Sequence, residues 1–272
     1  MRMGRWLTVT SVECAKVSAQ AVARIALALS IAGPFAFAAA MRVQTSVPAD
    51  TLFGRSVTES GFAIPLVILG FAALWAFPVL TSVVGGDLFS SEDRHGTWSS
   101  VLTRSCTRGE IFAGKVITAL AFATVAVSVL AASSVAAGVI VVGQRPLVDL
   151  SGVLREPAEA LTRVVLAWAT ALPPALGFTA MAVLASIATR SSAAGIGLPV
   201  VIGLAMQLCT LLDGPEAIRR LLLTASFGAW HGLLAEPPYY RPLIHGTIVS
   251  SAYVAVCLTL AYRLLQRRDI GG

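Results

Sequence analysis

The sequence predicts an all-α integral membrane protein with six transmembrane helices, and three observations carry that prediction. Of 272 residues, 56% are hydrophobic and only 12% are charged, far from the quarter-charged average of soluble domains. Mean hydropathy is +0.80. Six runs lack Asp, Glu, Lys and Arg altogether, at 25–41, 60–86, 116–144, 164–189, 191–212 and 242–262. All but the first meet the requirement of about twenty residues to cross the hydrocarbon core. Residues 1–272 read as a single membrane domain.

The segment 1–23 carries Arg2, Arg5, Glu13 and Lys16, with Trp6, Val9, Val12 and Val17 loosely on one face. That pattern predicts an amphipathic helix on the membrane surface. A basic leader ending near Ala36-Phe37-Ala38 is the alternative, disfavoured by the long polar lead and the later spans. The first run is short, and Gly33-Pro34 predicts a bend in it.

Orientation follows from where the basic residues fall. An even number of spans puts both termini on one side. That side holds twelve Lys and Arg against eight opposite, which predicts cytoplasmic termini. Twelve basic less six acidic residues place the whole net charge of +6 there, and eight against eight leave the far side neutral. The basic balance therefore reflects topology and anionic lipid, and no nucleic acid is expected.

Among the far-side loops, 42–59 and 145–163 read as polar connectors. The segment 221–235 is apolar but too short to span. It predicts a re-entrant or interfacial helix pair broken near Gly228 and Gly232, or else an amphipathic loop packed on its neighbours. Phe227, Trp230 and His231 in it, with Gln207 of the fifth run, are candidate pathway residues. For Gln207 an interhelical hydrogen bond is the plainer alternative.

Several chemistries are missing. No ionisable group lies inside the six runs, so self-contained ion coupling is not expected. His95, His231 and His245 form no HExxH pair, no GxSxG elbow occurs, and the four cysteines show no CxxC spacing. Neither an enzyme, a metal site nor a bound cofactor is expected. Gly109 to Lys115 matches seven positions of a phosphate-binding loop, but Val116 stands where that loop needs Ser or Thr. A membrane helix then begins where an α/β domain would be required.

The longest charged island between apolar runs is 87–115. Phe89, Trp98, Val101, Leu102, Ile111 and Phe112 recur between its charges at roughly helical spacing, predicting a short amphipathic helix lying against another surface. Its residues Glu92-Asp93-Arg94-His95-Gly96-Thr97-Trp98, Val101-Leu102-Thr103-Arg104-Ser105, Thr107-Arg108-Gly109-Glu110-Ile111-Phe112 and Gly114-Lys115 resemble the ABC-2 type family of ABC transporter permeases. The resemblance extends to the six spans, the basic surface helix before the first, the apolar segment before the sixth and the basic C-terminus.

The resemblance implies a coupling helix between the second and third spans that docks on a separate ATP-binding subunit. Trp98 and Leu102 would enter a hydrophobic pocket, and Glu92, Asp93, Arg94, Arg104 and Arg108 would pair with charges at its rim. Gly96 and Thr97 would allow close approach, while Gly114 and Lys115 open the third helix. It further implies two copies of the ATPase, which carry ATP and magnesium, and a second permease chain, identical or related. The expected place is a bacterial plasma membrane, and the expected activity is export of a hydrophobic or amphipathic drug, antibiotic, peptide or lipid. A non-transporting scaffold or sensor and a secondary carrier are the alternatives.

Overall fold

The computed structural model describes residues 5–44, 52–96, 107–211 and 215–267. Among them, six helices or helix pairs are long and apolar enough to cross a membrane: Ala21–Val43, Ala63–Asp87, Arg108–Val141, Pro157–Thr189, Ser192–Thr210 and Arg241–Gln266. They cover the six charge-free runs in order. Ahead of them lies helix α1 (Arg5–Ala19), which is joined through Gln20 to α2, the first span.

The expected bend at Gly33-Pro34 does not end α2, which stays helical through Val43 with Pro34 buried inside it. A proline lacks the N–H that would bond the carbonyl four residues back, here that of Ser30. That carbonyl instead accepts a hydrogen bond from Ser133 Oγ, 2.8 Å away on the third span. A neighbouring helix thus satisfies the freed group where water cannot.

The second span comprises α3 (Ala63–Phe71), a π-helical turn (Ala72–Ala76) and α4 (Phe77–Asp87). Pro78 explains the interruption, since it cannot donate to Leu74 within that turn. A short helix, α5 (Ser90–His95), follows and ends at Gly96, whose φ of 62° is left-handed. Gly96 is needed by this chain's own turn.

Helix α6 (Arg108–Val141) begins eight residues before the apolar run 116–144, because Thr107 and Glu110 form a capping box. The Glu110 carboxylate accepts from Thr107 N–H at 2.8 Å, and Thr107 Oγ1 accepts from Glu110 N–H at 3.2 Å. Replacing Glu110 with Ala is expected to lower stability by about 1 kcal/mol, read from thermal unfolding in detergent. At 34 residues α6 is about 50 Å long, so its first turns stand outside the hydrocarbon.

The 145–163 connector is more structured than a polar loop. It holds a hairpin of β1 (Leu147–Val148) and β2 (Leu154–Arg155), antiparallel with Leu147 opposite Arg155. Asp149 organises it, accepting from the N–H groups of Ser151 and Val153, both at 2.9 Å, and from Arg155 Nε at 2.8 Å. Burial pushes the Asp149 carboxyl up, but these donors outweigh it and hold it below the usual carboxylate range.

The fourth span is two helices where a single run was expected. Helix α7 (Pro157–Ala169) and helix α8 (Leu172–Thr189) meet at Thr170-Ala171, because Pro173 and Pro174 belong in a first helical turn. Helix α8 is the centre of the bundle, packed by α4, α6, α9 (Ser192–Leu211) and α11 (Arg241–Gln266). Its many small residues permit that crowding.

Helix α10 (Glu216–Leu221) leads into a run of 3-10 turns, Leu223–Leu234. The expected pair broken near Gly228 and Gly232 is instead one unbroken stretch. Buried residues recur every third position, as Thr224, Phe227, Trp230, Leu233 and as Leu223, Ser226, Ala229. Three residues per turn stack these on one side, against α7, α8 and α11. Phe227 lies between Phe77 and Phe178, with ring centroids 5.2 and 6.0 Å away.

Candidate functional site

Two regions bring the sequence-predicted residues together, one at each end of the bundle. At the α5 end, Lys115 lies on the eighth residue of α6, about 10 Å from its start, and its side chain is only 1% exposed. Burying an ammonium is costly unless it is paired and fully hydrogen-bonded. All three of its donors are used: Glu13 Oε2 at 3.0 Å, Glu92 Oε1 at 3.0 Å and the Leu88 carbonyl at 2.8 Å. The Phe89 ring adds a cation–π contact with its centroid 5.7 Å away.

Lys16 completes a neutral cluster of two lysines and two glutamates. Its Nζ reaches Glu13 at 2.8 Å and Glu92 at 3.1 Å, while both carboxylates are 93% buried. Burial pulls Lys16 down, but hydrogen bonds and charge from Glu13 and Glu92 prevail and raise its pKa above the ordinary lysine value. The cluster fastens α1, α5 and α6 to one another. Glu92, expected at a docking rim, turns inward because Lys115 is there to meet it.

A second fastening holds the other side of α5. Arg94 donates to Asp87 Oδ1 at 2.7 Å and to Ser192 Oγ at 3.1 Å. Ser192 Oγ bonds Asp87 Oδ1 at 2.5 Å, and the Ser90 N–H donates to Ser186 Oγ at 3.1 Å. Among the described residues, five helices therefore meet at α5: α1 and α6 through the lysine cluster, α4 as its continuation, and α8 and α9 through serines. Below it, α4 and α9 cross so closely that a Cβ on Gly195 would sit 2.3 Å from Gly86 O.

The remaining island residues fall in three groups. Arg108 donates to the Gln266 carbonyl at 2.9 Å, tying the start of α6 to the last turn of α11. Gly114 faces α1, where a Cβ would lie 2.6 Å from Val9 Cγ1, and Asp93 is on α5. Thr97, Trp98, Leu102 and Arg104 lie outside the described residues.

At the opposite end, a cavity of about 840 Å³ opens between α3, α9, the 3-10 run and the start of α11. Gln207, Phe227, Trp230 and His231, chosen from sequence, all line it. Sequence reasoning did not single out its arginines or Thr224, although Arg219-Arg220 before an apolar segment was a visible signal. The hairpin and α7 brace the wall from behind: Arg155 pairs with Glu236, Leu150 N–H donates to Leu234 O at 3.2 Å, and Arg163 of α7 donates to Leu233 O at 2.7 Å.

Six apolar spans, with helix α1 locked to a polar junction at one end and a large cavity at the other, define a multi-pass membrane protein. The family model described as ABC-2 family transporter protein matches residues 10–206, which is 197 of 272 residues. The chain belongs to that family and is a membrane-spanning permease subunit of an ABC transporter. No match is found among curated proteins.

Proposed function

We propose that this chain is the moving membrane part of an ATP-driven exporter whose energy arrives through α5 from a separate ATP-binding subunit. Permeases of this family generally work with such a subunit. The observation that carries the reading is the buried Lys115–Glu13–Glu92 cluster, which joins α5 rigidly to α1 and α6. A push delivered through residues 97–106 would pass through this junction into α1 and α6.

In this reading Trp98 and Leu102 enter the partner's pocket, Asp93, Arg94 and Arg104 face its rim, and Glu92 transmits rather than docks. Two permease chains and two ATPases, which hold ATP and magnesium, make the complex. The α5 end and both termini face the cytoplasm of a bacterial cell, as the basic residues favour. The cargo is hydrophobic or amphipathic, in keeping with the apolar walls of the opposite cavity.

Copurification with an ABC ATPase and vanadate-sensitive hydrolysis test this. Trp98→Ala is expected to lose the partner. Glu92→Gln is expected to keep binding but lower transport per ATP hydrolysed. A wild-type chain that retains no ATPase and a Trp98→Ala chain indistinguishable from it would both count against the reading.

A further inference from the structure

The cavity at the end opposite α5 is wide enough for a ligand, within the range of about 300–1,000 Å³ usual for small-molecule sites. Its inner wall is apolar, with Leu66, Val67, Phe71 and Phe227. Its mouth is cationic. Among the described residues, Arg219, Arg220 and Arg241 line it against one carboxylate, Glu216, which pairs with Arg220 and leaves Arg219 and Arg241 as the excess positive charge.

A further observation fits the same occupant. Beside the mouth, Tyr253 donates to Leu221 O at 3.2 Å, next in the chain to Arg220. Tyr253 also lines a second groove, of about 440 Å³ and walled by Met181, Leu198, Ile202 and Val256 between α8, α9 and α11. A cationic mouth thus adjoins apolar surface on two sides.

We infer that this cavity binds an anionic amphiphile drawn from the surrounding bilayer, its acidic head on Arg219 and Arg241 and its apolar body against Leu66, Val67 and Phe227. The inference rests on the exporter reading and gives its cargo a charge. Planar guanidinium groups suit a phosphate, sulfate or carboxylate head, which they bind through paired hydrogen bonds. A cationic amphiphile of equal length would meet repulsion at the mouth, and a simple anion would leave the apolar wall empty.

The test uses the purified chain in phosphatidylcholine nanodiscs, with dodecyl phosphate as probe and binding read by tryptophan fluorescence. Dodecyl phosphate is expected to bind about tenfold more tightly than dodecyltrimethylammonium, dodecyl maltoside or inorganic phosphate. Arg219→Gln with Arg241→Gln should cost about tenfold, while the paired Arg→Lys variant keeps most of the affinity. Equal binding of the cationic or neutral amphiphile, equal competition by inorganic phosphate, or unchanged affinity in a normally melting Arg→Gln variant overturns the inference. ATPase copurification on the same preparations reads the exporter proposal separately, so loss of anion selectivity with the ATPase still bound sinks only the cargo class.

Discussion

Lys115→Met is expected to lower the stability of this chain by about 3–5 kcal/mol, the largest effect of any single replacement at the α5 end. The Met side chain fills similar volume, so the cost is electrostatic. Glu13 and Glu92, each 93% buried, keep their charge but lose the ammonium between them, and Lys16 alone, half in solvent, faces both. The Leu88 carbonyl also loses its donor.

A second variant separates this account from a packing defect. Adding Glu13→Gln and Glu92→Gln to Lys115→Met removes the uncompensated charges, so stability should recover by about 2 kcal/mol or more. The recovered protein should still fail to couple ATP hydrolysis to transport, because a junction whose only remaining charge is Lys16 no longer fixes α5 to α1 and α6. Thermal unfolding and coupled hydrolysis in the same vesicles check both halves. A triple variant less stable than the single one would contradict the electrostatic reading.

Gly195→Ala is expected to cost about 1–3 kcal/mol, an overpacking penalty in the usual range or somewhat above. The new methyl would meet Gly86 O at 2.3 Å and Gly86 Cα at 2.9 Å, and backbone cannot rotate aside as a side chain can. Helices α4 and α9 must therefore separate. Since α5 begins only four residues after Gly86, the shift should also loosen the Asp87–Ser192 contact. Gly197→Ala, in the same helix, is the control: its Cβ meets nothing within 4 Å, and Ala favours the helix by about 1 kcal/mol over Gly. Unfolding of the two variants side by side should give opposite signs.

Hydropathy made the six spans legible because membrane insertion acts on each run by itself. Breaks within the spans depended on context. Pro34 deprives the Ser30 carbonyl of its helical donor, and the replacement comes from Ser133, about a hundred positions away. Pro173-Pro174 did break the fourth span, since α7 had its own N-terminal proline at Pro157 to start a separate helix. The 3-10 run was hidden because its period of three blurs into helical periodicity over twelve residues.

The lysine cluster was the least legible feature. Glu92 and Lys115 were singled out as parts of one charged island, but Glu13 lies 102 positions before Lys115, and nothing in sequence joins the helix ahead of the first span to it. Charges flanking a span ordinarily face water or headgroups, so their closure around one another is a tertiary fact. The cavity was more accessible: Gln207, Phe227, Trp230 and His231 were chosen as polar or aromatic residues in otherwise apolar surroundings, and they converge. The arginine mouth needed the fold, which brings Arg219 and Arg241 to one opening from either side of the 3-10 run.

Reconstitution in sealed vesicles addresses the central claim that a separate ATPase drives this permease through α5. The account predicts amphiphile transport only when both the ATPase and ATP are present, blocked by vanadate and abolished by Trp98→Ala. Transport by the permease chain alone, at the same rate with and without ATP, would contradict it.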